Sequence, residues 1–423
     1  MNRSAVRDMT EGSPTRLIVG FLIPLLLGML FQQIYNMVDT IVVGKFLGVK
    51  ALAGVGSTGS LNFLVLGFCM GVCNGFVIPV AQKFGERDYQ GMKRFVTNAI
   101  MLSMMFAAVM TTLVCLLCNT FLHWMNTPED IFQYAHDYIF VIFLGIPIVF
   151  LYNVFFGIIR SLGDSRTPVI YLIFSSLLNV ALDPIFIFGL GMGVSGAALA
   201  TSISQIVGFV VLLCMTYRKG NIAIRLRNYS PTLANFKEIF RGGVPSLARQ
   251  ALTSVATICL NTAAGVYGDA AIAAMSIVGR VMLMGNSAVI GFGQGFQPIC
   301  GFNYGAKRYG RVWEAFWFCV KLCFFVLLGV AALGLVFAPQ IIGLLIKGNP
   351  EVVEIGALSL RLQCIFWPLF SYVIIANMML QTIGMARKAT LLATARQGLF
   401  FIPTIWLLSW LLGLLGVQMS QAV

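Results

Sequence analysis

Two carboxylates interrupt sequence that is otherwise apolar. Asp39 closes the run Gln32-Gln33-Ile34-Tyr35-Asn36-Met37-Val38-Asp39, and Asp183 closes Asn179-Val180-Ala181-Leu182-Asp183, with Pro184 next. Spacings of three and four put Gln32, Tyr35 and Asp39 on one helix face, and likewise pair Asn179 with Asp183. Carboxylate, amide and hydroxyl oxygens are hard ligands suited to Na+, and the same carboxyls can carry a proton if burial raises their pKa. Pro184 has no N–H, so a carbonyl about one turn earlier is left free to meet a cation or water. The competing reading is plain hydrogen bonding between packed helices. Against it, the expected spans of this half contain no Lys or Arg to neutralise the acids.

Other chemistry is missing. There is no phosphate loop, zincin helix or Ser–His–Asp arrangement, and the two histidines, His123 and His136, lie near one connection. Cys115 and Cys118 form a CxxC without a second pair at zinc-like spacing, so the ten cysteines read as small packing residues. No soluble domain is available to hydrolyse ATP. An enzyme is not expected, nor any cofactor beyond a coupling ion, Na+ or H+.

The acids must be positioned by helices that cross a membrane. Hydrophobic residues make up 59% of the 423, charged ones only 10%, and the mean hydropathy is +0.89. A bilayer core about 30 Å thick needs roughly 20 apolar residues per crossing. Such stretches fall near 16–43, 51–80, 94–118, 133–159, 168–189 and 194–217, then near 243–266, 270–302, 312–337, 352–382 and 389–412. The short alternating segments of a barrel do not occur. A net charge of +13 invites a nucleic-acid reading, but the basic residues are spread over short loops with no polar domain to present them.

Those basic residues orient the chain. With the N-terminus inside, twenty Lys and Arg fall in the tail and inner connections, Arg160 among them, against Lys45, Lys50 and Lys347 outside. This is a strong positive-inside bias. Asp39 and Asp183 then lie in the outer half of the membrane. Five basic residues sit within spans of the second half: Arg249, Arg280, Lys321, Arg361 and Arg396. Arg249 is expected to snorkel, whereas Arg280 and Arg361 look deeper and could line a cleft or pair with carbonyls.

The chain also repeats itself. Pro24 matches Pro245, Gly44 Gly265, Gly75 Gly295, Tyr89 Tyr309, Pro147 Pro368 and Gly163 Gly384, always at an offset of 220 to 222. Six spans per copy is an even number, so the repeat is parallel. The division is residues 1–217, a linker over 218–241, and 242–423. The second copy reaches Gly416-Val417-Gln418 and ends at Val423, so a twelfth span is only begun and the chain is expected to be a truncated twelve-span protein.

At Asn36-Met37-Val38-Asp39-Thr40-Ile41-Val42-Val43-Gly44, then Leu47-Gly48 and Ala51-Leu52-Ala53, the sequence resembles the multidrug and toxic compound extrusion (MATE) family. Gln297-Pro298 and Gly301-Phe302-Asn303-Tyr304-Gly305-Ala306 resemble its second signature, and Arg249-Gln250 after Gly243-Val244-Pro245-Ser246 resembles the bacterial MepA-type branch. The resemblance runs from about Thr15 to the end. It implies an all-α fold of two six-helix lobes and export of organic, mostly cationic compounds against Na+ or H+ by a monomer in a bacterial inner membrane, in contact with its lipids. By the same resemblance the cation site is Asp39, Asn179, Asp183 and Thr201, with Tyr35, Tyr138 and Asn153 as cavity candidates, to which the residue pattern itself adds Gln32 and Arg280. Some members carry a glutamate where this chain has Ser254, which argues against a second acidic site. The rival reading is a flippase of lipid-linked oligosaccharides in the same superfamily.

Overall fold

The computed structural model describes residues 9–125, 127–218, 226–345 and 350–420. Helix α1 (Pro14–Ser57) starts on a proline, whose missing N–H costs nothing in a first turn, and breaks at Gly48. Helices α2 (Gly59–Phe76) and α3 (Ile78–Gly85) form the next crossing. Asp88 caps α4 (Tyr89–Leu116) by accepting the Gly91 N–H at 2.8 Å. After the short α5 (Cys118–Trp124), α6 (Glu129–Leu144) and α7 (Ile146–Ser161) make one crossing, bent by 47° where Gly145 meets Pro147. Helix α8 (Arg166–Pro184) runs into a π-helical turn, Ile185–Gly189, and α9 (Gly193–Arg218) ends the first half.

The second half follows with α10 (Leu233–Gly265), α11 (Asp269–Gly305) and α12 (Tyr309–Leu345). Helices α13 (Pro350–Phe366) and α14 (Phe370–Thr382) flank a tight turn at Trp367–Leu369. The last elements are α15 (Ala386–Thr394), a π turn at Ala395–Phe400, α16 (Phe401–Leu412) and α17 (Leu414–Met419). Among the described residues there is no strand.

Nine of these helices are long and apolar enough to cross a membrane, ten with the bent α6–α7 pair counted as one, again among the described residues. The remaining expected span, 243–266, is helical too, within α10. It is less apolar because Arg249, Gln250, Thr253, Ser254, Thr257, Asn261 and Thr262 interrupt it. Large apolar side chains face outward, with Leu116 77% and Trp410 82% exposed. That exposure suits lipid, not water.

The repeat extends to the backbone. Glycines 48, 163 and 193 take positive φ (85°, 94°, 59°), and so do glycines 268, 384 and 413 (100°, 81°, 62°). Two non-glycines do the same, Arg87 at 61° and Lys307 at 59°. Left-handed backbone costs an ordinary residue roughly 1 to 2 kcal/mol. In both places it closes a loop in which the next N–H reaches back five residues, Asp88 to Lys83 at 3.0 Å and Arg308 to Asn303 at 2.8 Å.

Each half has its own apolar core. Phe76, Phe143, Phe150 and Ile158 anchor the first, and Phe292, Phe296 and Phe316 the second. The halves meet at the end of the bundle that carries the Phe84–Tyr89 loop and most of the Lys and Arg, the basic end. There Phe84 stacks on Phe302 with centroids 4.7 Å apart, and the Gln82 side chain donates to the Thr382 carbonyl. Gly75 lies so close to Gly242 and Gly243 that a Cβ on it would collide with their backbone. Gly75→Val is therefore expected to force the halves apart at a cost of about 1 to 3 kcal/mol. Cross-linking between Ala81→Cys and Gly301→Cys, whose Cβ positions adjoin, would report this as a lower yield.

Candidate functional site

The expected acids sit on helices that pack together: α1 lies against α6, α8 and α9, and α8 against α9. Asp183 is fully buried at the last turn of α8, and Asn179 is 1% exposed one turn before it. Asn179 Nδ2 donates to Asp183 Oδ1 at 3.3 Å and to Thr201 Oγ1 of α9 at 3.2 Å. The Thr201 hydroxyl in turn donates to the Ala197 carbonyl at 3.1 Å, which orients its lone pairs towards Asn179. With both its donors engaged, Asn179 keeps a buried Oδ1 that accepts nothing from the described residues. A buried polar atom of this kind needs a partner. Beyond Asp183, Pro184 removes a helical donor, and the π turn carries the chain out of register, the Leu190 N–H reaching the Ile185 carbonyl at 3.0 Å.

The other expected residues are placed less evenly. Tyr138 is buried on α6, and Tyr35 and Gln32 are half-buried on α1. Asn153 on α7 donates back to the Val149 carbonyl of its own helix at 2.7 Å. Asp39 lies in α1, but its side chain falls outside the described residues, as do those of Gln33 and Asn36. Among the described residues, no three His, Cys, Asp or Glu cluster as a metal centre would require. What gathers here is one carboxylate with amide and hydroxyl oxygens.

The basic residues correct the expectations. Arg280 is exposed on α11, eleven residues from the helix start. Arg361 is exposed too, its Nε satisfied by the Leu335 carbonyl at 3.1 Å, so it pairs with backbone. Arg249, expected to snorkel, is half-buried, as is Arg396. Arg160 departs furthest. Expected in a connection, it is 2% exposed in the last turn of α7. Its Nη1 donates to Gln294 of the second half at 2.7 Å and its Nη2 to Asn74 of the first at 2.9 Å, while Nε has no acceptor. The first half thus does hold a buried cation, but at the basic end, bridging the halves and not facing Asp183. The clue was in the sequence: Asn74 and Gln294 are amides inside apolar helices, each in need of a polar partner.

Comparison with known proteins agrees with this architecture. The MatE family model matches twice, over residues 24–185 and 245–407. A probable multidrug resistance protein of Bacillus subtilis, YoeA, is 27% identical over 380 residues, covering 88% of this chain and 81% of its own. The multidrug export protein MepA of Staphylococcus haemolyticus is 25% identical over 416 residues, 98% of this chain and 91% of that one. A multidrug resistance MATE family transporter solved in an outward-facing conformation superposes with a TM-score of 0.90 at 27% identity, covering 100% of this chain and 95% of the other. A MOP superfamily transporter from Pyrococcus furiosus, described as having a binding pocket of reverse polarity, reaches 0.92 at 27% identity, covering 99% and 94%.

Proposed function

This chain belongs to the MatE family of transporters, and on that premise we propose that it is a secondary active exporter that antiports organic cations against Na+ or H+. The observation that carries the reading is the buried Asp183–Asn179–Thr201 group, a carboxylate and two oxygen-bearing side chains held together across two helices. An ionisable side chain inside a membrane protein marks an ion or proton path by default.

In this reading residues 1–217 and 242–423 are two lobes joined by 218–241, the basic end is cytoplasmic, and the N-terminus lies there in a bacterial inner membrane. With the lobes in contact at that end, the cleft between them faces outward. A cation entering from outside meets Asp183, Asn179 and Thr201, together with Asp39, and its binding disfavours an organic cation held by the same negative field. Once the site has emptied inward, drug binds from the cytoplasm, so the two ligands alternate in one cycle. The membrane potential contributes about 2.3 kcal/mol per charge per 100 mV to the inward step. Tyr35, Tyr138, Gln32 and Asn153 would line the adjoining cavity.

The test is dye efflux from cells producing the chain, with the Na+ and proton gradients collapsed separately. Efflux is expected to stop when one of the two is removed and to survive loss of the other. Efflux indifferent to both would end the antiport reading. The flippase reading keeps one observation in its favour, the basic character of the second half.

A further inference from the structure

Arg249 on α10 and Arg396 in the π turn after α15 are charges without visible compensation. The two helical segments pack together, so the two like charges share one neighbourhood. Arg396 rests over the Phe370 ring at 4.4 Å, and neither guanidinium makes a hydrogen bond or ion pair with a described residue. Beside Arg249, Gln250 holds a buried Nε2 with no acceptor.

Among the described residues, no carboxylate is near enough in sequence or packing to answer them. The second half contains only Asp269, Glu314, Glu351 and Glu354, all within the first six residues of their helices. Of the helices against α10, α2, α3, α4, α14, α15, α16 and α17 carry no acid at all, and α11 carries only Asp269 at its start. Depth limits the access of Arg396 to bulk water. Arg396 is ten residues beyond Ala386, about 15 Å along a helix, which is half of a hydrocarbon core about 30 Å thick. Removing a guanidinium from water costs several kcal/mol unless a counter-charge meets it, and two side by side cost more.

We propose that Arg249 and Arg396 form an anion site in the second half, which takes the carboxylate or phosphate group of an amphipathic molecule. Guanidinium forks match the geometry of either oxyanion. The Phe370 ring, already beneath the Arg396 guanidinium, holds that fork in place. The halves then divide the chemistry of a cleft: oxygens for a cation in one, nitrogens for an anion in the other. This deepens the exporter reading and rests on it for the route by which the anion arrives. A zwitterionic amphiphile could use both sides.

Thermal unfolding of the full chain in detergent tests the site without transport. Oleoyl lysophosphatidate is expected to raise Tm by a few degrees, and monoolein, with the same acyl chain and a neutral headgroup, is not. The shift should vanish in R396Q and in R249Q, either of which suffices, and persist in part in R396K. Inorganic phosphate producing the same arginine-dependent shift would support the site with a soluble oxyanion as its ligand. Equal shifts from the two lipids, or a lysophosphatidate shift retained in both glutamine variants, would overturn it. Without ligand, both variants are expected to unfold no earlier than the parent, since each relieves a repulsion. Asp183→Asn, which addresses the exporter reading, should leave the lysophosphatidate shift intact, so the two ideas can fail separately.

Discussion

Asp183→Asn is expected to abolish gradient-driven efflux of organic cations while leaving the chain folded and inserted. The amide has the shape of the carboxylate and can still accept from Asn179 Nδ2, which lies 3.3 Å from Oδ1. Packing is preserved, and only the charge goes. A hydrogen bond to a charged group contributes about 1.5 to 3 kcal/mol, against about 1 for a neutral one. At about 1.4 kcal/mol per factor of ten, neutralising the carboxylate weakens cation binding by roughly tenfold or more. Full burial of Asp183 strengthens the effect, because little water is present to screen or substitute. Asp39→Asn should behave alike, and Thr201→Ala should be milder, since it removes a neutral oxygen. Dye accumulation in cells with an imposed gradient, alongside dye binding to the purified protein, is the measurement. Normal efflux by the Asp183 variant would sink the assignment.

The second large effect is expected at Arg160. Its guanidinium is sealed between the halves, held by amide oxygens of Asn74 and Gln294, and among the described residues it meets no carboxylate. Two neutral acceptors offset only part of a desolvation cost of several kcal/mol. If the halves separate at the basic end, water reaches the charge and the cost disappears. Arg160 therefore biases the protein against the conformation described here. Arg160→Met keeps the length of the stem and removes the bias, and about 3 kcal/mol corresponds to a shift of more than a hundredfold in population. Cross-linking of Ala81→Cys to Gly301→Cys should rise in a cysteine-depleted background, and efflux should fall because the basic end no longer opens. Reduced cross-linking would show that the arginine holds the halves together instead.

Much of this was legible in the sequence, for identifiable reasons. Asn179 and Asp183 are four apart on one helix, so their proximity follows from helical geometry, and the structure puts them within hydrogen-bond reach. Thr201 is on another helix, and no spacing rule links it to Asn179; only family resemblance pointed there. The repeat was readable from prolines and glycines, but the matched left-handed residues Arg87 and Lys307 share no side-chain identity and emerge only from backbone angles. Basic residues were read least well. A helix that is apolar all round gives no sign of which face is buried, so nothing in the sequence told exposed Arg280 and Arg361 from half-buried Arg249 and Arg396. Arg160 was misplaced because a charge three residues before a Gly163 turn reads equally well as loop.

Helix α1 belongs to both cores. Its first turns, with Leu17, Ile18, Phe21, Leu22 and Leu25, are buried among Phe292, Phe296 and other residues of the second half. Its far end, at Val43, is buried against Ile187 and Ala197 of the first. The chain just ahead of it is tied to the second half as well, since the Met9 and Gly12 carbonyls accept from Asn303 and Arg311. Mechanically, α1 is a rod clamped in two different blocks. Any rotation of one block against the other is delivered to it as a bending moment, and the rod is softest at Pro24, where the ladder lacks a donor. Because Asp39 rides on the far arm of that rod, a rotation that opens one end of the bundle reaches the residues beside Asp183 as a displacement, with no separate messenger between them.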